Sequence, residues 1–287
     1  MDVMMGLVAA LCWGVTDYLV SVNGRALGVQ RSVFYSQLIG LIILSSFMGL
    51  SSSSITIIRE AQFTTILVCI IAAALTLLGA ICLTKALSQG RTSVVAPLIT
   101  SYGIVTTVLA WLGGELLTGY QVLGIAICFF GVWLVGVGHS KTTSTHDRNE
   151  GRAIFYALLA AGLYGCSFWV QGKYALKAVG PVNMLWLNYF LGVVFLLFVF
   201  RKGRDFYRIN LKACGTLSAA SIFNLGGFAA FALGALEGSV AIVTVISTLS
   251  GGVAAILGYL FYKERLVSGQ LLGVILVLLG AVVLHLV

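Results

Sequence analysis

Charge is what this sequence has least of. Among 287 residues only 9% are Asp, Glu, Lys or Arg, against 60% hydrophobic residues and a mean hydropathy of +1.05. A soluble domain of this size has too little interior to hide so much apolar surface, which excludes a water-soluble fold. Histidine is nearly absent too: His139, His146 and His285 are too scattered for a metal site or a proton relay. The six cysteines, Cys12, Cys69, Cys82, Cys128, Cys166 and Cys214, lack metal-ligand spacing and lie in or beside apolar runs. They read as free, buried, small hydrophobes. No Walker sequence, metal motif or nucleophile-base-acid set occurs, so neither a cofactor nor a metal is expected and an intramembrane enzyme lacks its cluster. A membrane receptor would need a sizeable extramembrane domain, and none is evident. Only two prolines stand against 34 glycines, a balance that suits tightly packed membrane helices.

What is present is apolar length. Hydrophobic runs predict helices at 4–22, 32–50, 62–84, 93–111, 119–138, 153–170, 182–200, 213–233, 239–260 and 269–287. Each is close to the ~20 residues that cross hydrocarbon. The expected fold is an all-α polytopic membrane protein with ten transmembrane helices. The first run follows Asp2 rather than a basic segment, so it reads as a retained element and not a removable secretion signal.

The runs repeat. Leu7, Ala9, Ala10 and Gly14 recur 151 residues later as Leu158, Ala160, Ala161 and Gly165, with Trp13 answered by Tyr164. Glu115, Leu117, Gln121, Leu123, Gly124 and Gly131 recur 149 residues later as Glu264, Leu266, Gln270, Leu272, Gly273 and Gly280. Residues 1–138 and 153–287 are therefore two five-helix units, and the polar stretch 139–152 links them. An odd number of crossings per unit forces the two into opposite orientations around a central cavity, the architecture of many alternating-access transporters.

The residues Trp13-Gly14, Ala86-x-x-x-Gly90, Val94-Val-Ala-Pro-Leu98 and Glu115-x-Leu-x-x-x-Gln-x-x-Gly124, with Tyr164-Gly165, Ala235 to Ala241 and Glu264 to Gly273 in the second unit, resemble the drug/metabolite transporter superfamily. The resemblance is to its ten-helix, EamA-type branch. It implies a basket of helices around a cavity, with the fifth and tenth behind it, and export of small metabolites. Two departures stand out. Val245 replaces the proline that kinks the first unit at Pro97, and Phe34 to Gly40 lacks the arginine that many relatives carry in helix two.

Asp17 is the residue with the strongest chemistry. A carboxylate inside an apolar helix is costly unless it faces a cavity, pairs or takes up a proton. Trp13, Asp17 and Ser21 share one helical face at i, i+4 spacing. Asp17 is therefore the candidate coupling residue, with protons as the coupling ion. A structural hydrogen-bond acceptor is its alternative role. Substrate-contact candidates are Trp13, Asp17, Gln37, Tyr102, Tyr164, Trp169, Trp186, Asn188, Asn224, Thr244 and Ser247. Each polar one also fits an interhelical hydrogen bond. Tyr189 and Thr248 belong with them as polar intramembrane groups. Glu115 and Glu264 read as helix caps or surface ion pairs, Lys85 as a residue reaching the interface, and Trp111 and Trp133 as belt or packing residues.

These features point to a secondary transporter of small organic metabolites such as amino acids, amines or related solutes, in a bacterial cytoplasmic membrane. Its partners are the solute, membrane lipid and protons. A uniporter or exchanger of neutral metabolites is the alternative. The net charge of +8 is carried in short loops and reads as a topology signal, not a nucleic-acid footprint. The basic segment Arg201 to Lys212 reads as a surface anchor.

Of the 17 Lys and Arg residues, 14 fall in the connections after helices one, three, five, seven and nine, and 3 elsewhere. The positive-inside rule then puts both termini outside the cytoplasm. A fluorescent reporter that folds only in the cytoplasm, fused after Val287, is expected to stay dark; bright cells refute the assignment.

Overall fold

With no water to bond exposed N–H and C=O groups in hydrocarbon, an apolar chain must satisfy its backbone within helices. The computed structural model follows that constraint. It describes residues 2–49, 62–114, 118–137, 145–200, 210–238, 240–263 and 268–283, and every regular element among them is helical. Glu115, Glu264, His139, His285 and residues 201–209 of the basic segment lie outside the described residues, as do the side chains of Cys128, Trp133 and His146.

The first unit comprises α1 (Asp2–Leu27), α2 (Val29–Gly49), α3 (Phe63–Gln89), α4 (Thr92–Ile99), α5 (Tyr102–Leu112) and α6 (Gly119–Val137). The second comprises α7 (Thr145–Val170), which runs through a π-helical turn (Gln171–Ala175) into α8 (Leu176–Val179), then α9 (Pro181–Phe200), α10 (Leu211–Glu237), α11 (Val240–Ser247), α12 (Ser250–Tyr262) and α13 (Ser268–Val283). Seven spans among the described residues are long and apolar enough to cross a membrane. Thr145 to Arg152, read as linker from the sequence, forms the opening turns of α7, where Glu150 accepts hydrogen bonds from the Arg91 guanidinium, with Nε at 3.0 Å.

Two runs expected as continuous helices are each broken in two. In the first, Ser101 N–H reaches back three residues to Leu98 O at 3.2 Å and Gly103 N–H to Thr100 O at 3.2 Å, one tight turn between α4 and α5. Pro97 has no N–H to give, but the bond it removes is the one to Ser93 O, a turn before the break. The second run has no proline yet breaks at the matching place, with Leu249 N–H on Ile246 O at 3.1 Å and Gly251 N–H on Thr248 O at 3.2 Å. Hydroxyls serve the carbonyls that each break weakens: Thr100 bonds Pro97 O at 2.7 Å and Ser247 bonds Thr244 O at 2.6 Å. Such side-chain bonds make a break tolerable at membrane depth.

The packing has a two-fold exchange built into it. α1 lies along α10 as α7 lies along α3; α1 touches α11 and α12 as α7 touches α4 and α5; and α2 meets α9 while α6 meets α13. Gly124, Gly131, Gly273 and Gly280 are all buried on that last pair. The turns match as well. Gly28 (φ 81°) separates α1 from α2, and Gly180 (φ 78°) separates α8 from α9. Gly14 and Gly165 are 151 residues apart, whereas Gly28 and Gly180 are 152 apart. The π-helical turn between Gly165 and Gly180 accommodates that one extra residue.

Close approach depends on two glycines. A Cβ on Gly14 would lie 2.4 Å from Val253 Cβ and 2.9 Å from Ser250 O, and one on Gly165 would lie 2.5 Å from Val105 Cβ and 2.8 Å from Tyr102 O. The first helix of each unit thus sits against the broken helix of the other at a distance no side chain permits. Gly14→Ala and Gly165→Ala are each expected to cost about 1–3 kcal/mol through overpacking. Thermal unfolding in detergent measures this: both midpoints should fall, and an unchanged pair would contradict the packing.

Candidate functional site

A cavity lies where the two breaks meet α1, α3, α7 and α10. Its walls are Trp13, Thr16 and Asp17 from α1, Leu83 from α3, Ile99 and Tyr102 at the first break, Tyr164 and Phe168 from α7, Asn224 and Phe228 from α10, and Ser250 at the second break. Its volume is about 40 Å³. That is room for a few waters. A metabolite would need the walls to move.

Five of the eleven wall residues are aromatic. Trp13 stacks on Phe168 at 5.4 Å between centroids, Phe168 stacks on Tyr164 at 5.8 Å, and Phe228 meets Trp13 edge-on at 5.2 Å. Glycines form the bed for this stack. A Cβ on Gly227 would lie 2.4 Å from Trp13, and one on Gly79 would lie 3.2 Å from Tyr164, so the exchange that relates the two units also relates Trp13 and Tyr164 with their beds.

Asp17 is only 7% exposed and lines the cavity, and none of the described basic residues forms an ion pair with it. Its counterpart 151 residues on is Phe168. One wall of a nearly symmetric chamber thus carries a carboxyl group, and the other carries a benzene ring. The indole N–H of Trp13 is buried without a hydrogen-bond partner. A donor and a carboxyl group one helical turn apart therefore belong to a lined cavity, the combination by which a pocket orients a ligand.

Of the residues singled out from the sequence, Trp13, Asp17, Tyr102, Tyr164 and Asn224 are brought together here. Ser247 stands directly behind, bonded to the Tyr102 hydroxyl at 2.8 Å. Asn224 donates to the Tyr189 hydroxyl at 2.9 Å, which makes Tyr189 its support. The others lie elsewhere. Gln37 packs against Gly192, where a Cβ would come within 3.0 Å of its amide carbon. Trp186 donates to Ser45 Oγ at 3.0 Å and stacks on Phe190. Trp169 sits by Gly113 and Lys173 near the far end of α7. Thr244 bonds back to Val240 O at 2.6 Å. Asn188 belongs to a buried network in which Gln171 Nε2 donates to Ser167 Oγ at 2.9 Å and Thr76 Oγ1 at 3.2 Å, with Asn188 Nδ2 3.5 Å from Gln171 Oε1. Lys85 donates to the Tyr156 hydroxyl at 2.7 Å, outside the cavity.

Sequence reasoning missed Thr16, Leu83, Ile99, Phe168, Phe228 and Ser250. For two of them a signal existed. Phe168 is the counterpart of Asp17, and Ser250, 148 residues after Tyr102, is the counterpart of that tyrosine.

A model of the EamA-like transporter family matches residues 1–137 and again 151–286. No curated protein matches. Among solved structures 28 chains do; one crystal structure superposes with a TM-score of 0.72 over 98% of this chain and 95% of its own, at 16% identity. That likeness is one of fold.

The Tyr102–Ser247 bond ties the first break to the second. Tyr102→Phe removes it with little change of shape, so a stability loss of about 1 kcal/mol is expected. Ser247→Ala, which also removes the bond to Thr244 O, should cost more, and the double variant less than the sum of the two, because the Tyr102–Ser247 bond is lost in both. Additive losses in thermal unfolding would show that the two side chains act separately.

Proposed function

Because the chain belongs to the EamA-like transporter family of small-solute membrane transporters, within the drug/metabolite transporter superfamily, we propose that it is a proton-coupled secondary transporter working by alternating access. Its substrates in this reading are small organic metabolites that carry an ammonium group, amino acids and amines foremost, and it exports them across a bacterial cytoplasmic membrane. One observation carries the proposal: Asp17 lines a narrow cavity whose walls are otherwise mainly aromatic and aliphatic, without an ion pair to any described basic residue.

A carboxylate in such a place has two uses. It attracts a cationic group, and ring faces beside it add cation–π attraction. It also takes up a proton when it has no cation, because an uncompensated charge at membrane depth is costly. Proton and substrate then compete for one group, and that competition links their fluxes. Trp13, Tyr102, Tyr164 and Asn224 would orient the rest of the solute. The absence of a fixed positive charge among the lining residues argues against phosphorylated anions.

Asp17→Asn keeps size and hydrogen bonding while holding the side chain neutral. In proteoliposomes it is expected to fold and to exchange zwitterionic amino acids with weakened affinity, but to lose accumulation driven by a pH gradient. Full gradient-driven accumulation by the variant would make Asp17 structural and favour a uniporter or exchanger of neutral metabolites.

A further inference from the structure

The layers just beyond the two ends of the cavity are related by the same exchange of units, yet they are built from opposite chemistry. Toward the end where α1 and α3 finish and α4 begins, one turn beyond Asp17 and Leu83, the next residues are Ser21 and Leu87, and they meet Thr92 at the start of α4. Ser21 Oγ lies 2.8 Å from Thr92 Oγ1 and donates to Leu87 O at 3.3 Å. Arg25 spans the same junction, with Nη2 on Gly90 O at 2.8 Å and on Thr92 Oγ1 at 3.4 Å, and Nε on Leu87 O at 3.4 Å. Its guanidinium also lies 4.4 Å over the Tyr262 ring of α12. Thr92 is fully buried and is the hub that both Ser21 and Arg25 reach.

At the opposite end the counterparts are Gly172 for Ser21, Val240 for Thr92 and Ala235 for Leu87. The contact is conserved in place but not in kind. A Cβ on Gly172 would lie 2.4 Å from Val240 Cγ1, so bare backbone slides against a methyl group where the first unit has two hydroxyls. Gly172 also lies in the π-helical turn, Gln171–Ala175, a turn whose register is one residue out of step with an α-helix. The extra residue makes Lys177 the counterpart of Arg25, and no described hydrogen bond ties it to the α10–α11 connection.

We propose that Ser21, Arg25 and Thr92 form a latch that holds the cavity shut at the end where α3 meets α4, while the Gly172–Val240 contact and its π-helical turn are the hinge that lets the other end open first. Directional hydrogen bonds must break before α1 can leave α4. The glycine–valine contact has no such bond to lose, and the hydrogen bond beside it, Lys173 Nζ on Gly113 O at 2.6 Å, ties the π-helical turn to the end of α5 and not to α11. The latch rests on the alternating-access reading but not on any choice of substrate or coupling ion.

Distances settle it without a substrate. Spin labels carried by noncanonical amino acids at Ala26 and Lys263 report the latched end, and labels at Tyr174 and Glu237 report the other, in protein reconstituted in liposomes. Thr92→Val, which installs the counterpart residue at nearly constant volume, should raise the long-distance population at the Ala26–Lys263 pair about three- to tenfold, the range of one or two lost hydrogen bonds. Arg25→Gln should act in the same direction, and Thr92→Ser, which keeps the hydroxyl, should match the parent. The Tyr174–Glu237 pair should not gain long distances in any of these variants. Unchanged Ala26–Lys263 distances in folded Thr92→Val and Arg25→Gln proteins would overturn the latch. Equal widening at both ends would overturn it too, as general loosening. If neither pair ever shows a second distance, even in the parent with added solutes, alternating access itself fails, which is a different result.

Discussion

Everything in this molecule hangs on how closely α1 and α7 approach the broken helices. Gly14 against Val253 and Ser250, and Gly165 against Val105 and Tyr102, leave no space for a β-carbon. That contact draws the first helix of each unit into the middle of the other. It places Trp13 on Gly227 and Tyr164 on Gly79, and it sets the depth at which Asp17 meets the cavity. Apolar burial offers little drive for helix association inside a bilayer, because lipid tails are as apolar as leucine, so close van der Waals packing and interhelical hydrogen bonds must do that work.

The exchange of units explains the fold, and departures from it carry the chemistry. Two copies of one helix set pack most economically about a shared axis, so each inter-unit contact occurs in a pair. A chamber built that way would have identical walls and identical ends. This one has Asp17 opposite Phe168, Tyr102 opposite Ser250, and Ser21 with Thr92 opposite Gly172 with Val240. The first difference gives an ionisable group to one wall, and the last gives the two ends unequal resistance to opening.

Most polar groups inside the helices serve the helices. Thr76, Ser167, Gln171 and Asn188 share one buried network between α3, α7 and α9, and Thr76 and Ser167 both donate to the Ala72 carbonyl of α3. Hydroxyls at the two breaks bond carbonyls three residues back. In hydrocarbon an unsatisfied group is costly, so satisfied groups of this kind are the rule and a lone carboxyl group facing a cavity is the exception.

Hydrophobic length, the repeat and its spacing determined the class of fold, the two-unit organisation and the special standing of Asp17, because these depend only on chain composition and local periodicity. Trp13, Tyr102, Tyr164 and Asn224 were legible as candidates for the same reason: each is unusual in an apolar run. Gln37, Trp186, Thr244 and Asn188 looked equally unusual, yet their helical faces turn toward neighbouring helices, and only packing decides which way a face turns. Tertiary structure alone decided that α11 and α12 part without a proline, since the break at Thr248 is held by three-residue turns and by hydroxyls. It alone brought Phe168, Phe228 and Ser250 to the wall. Side chains from elements 150 residues apart in sequence meet there, and no local pattern encodes a contact that exists only when two units have closed around each other.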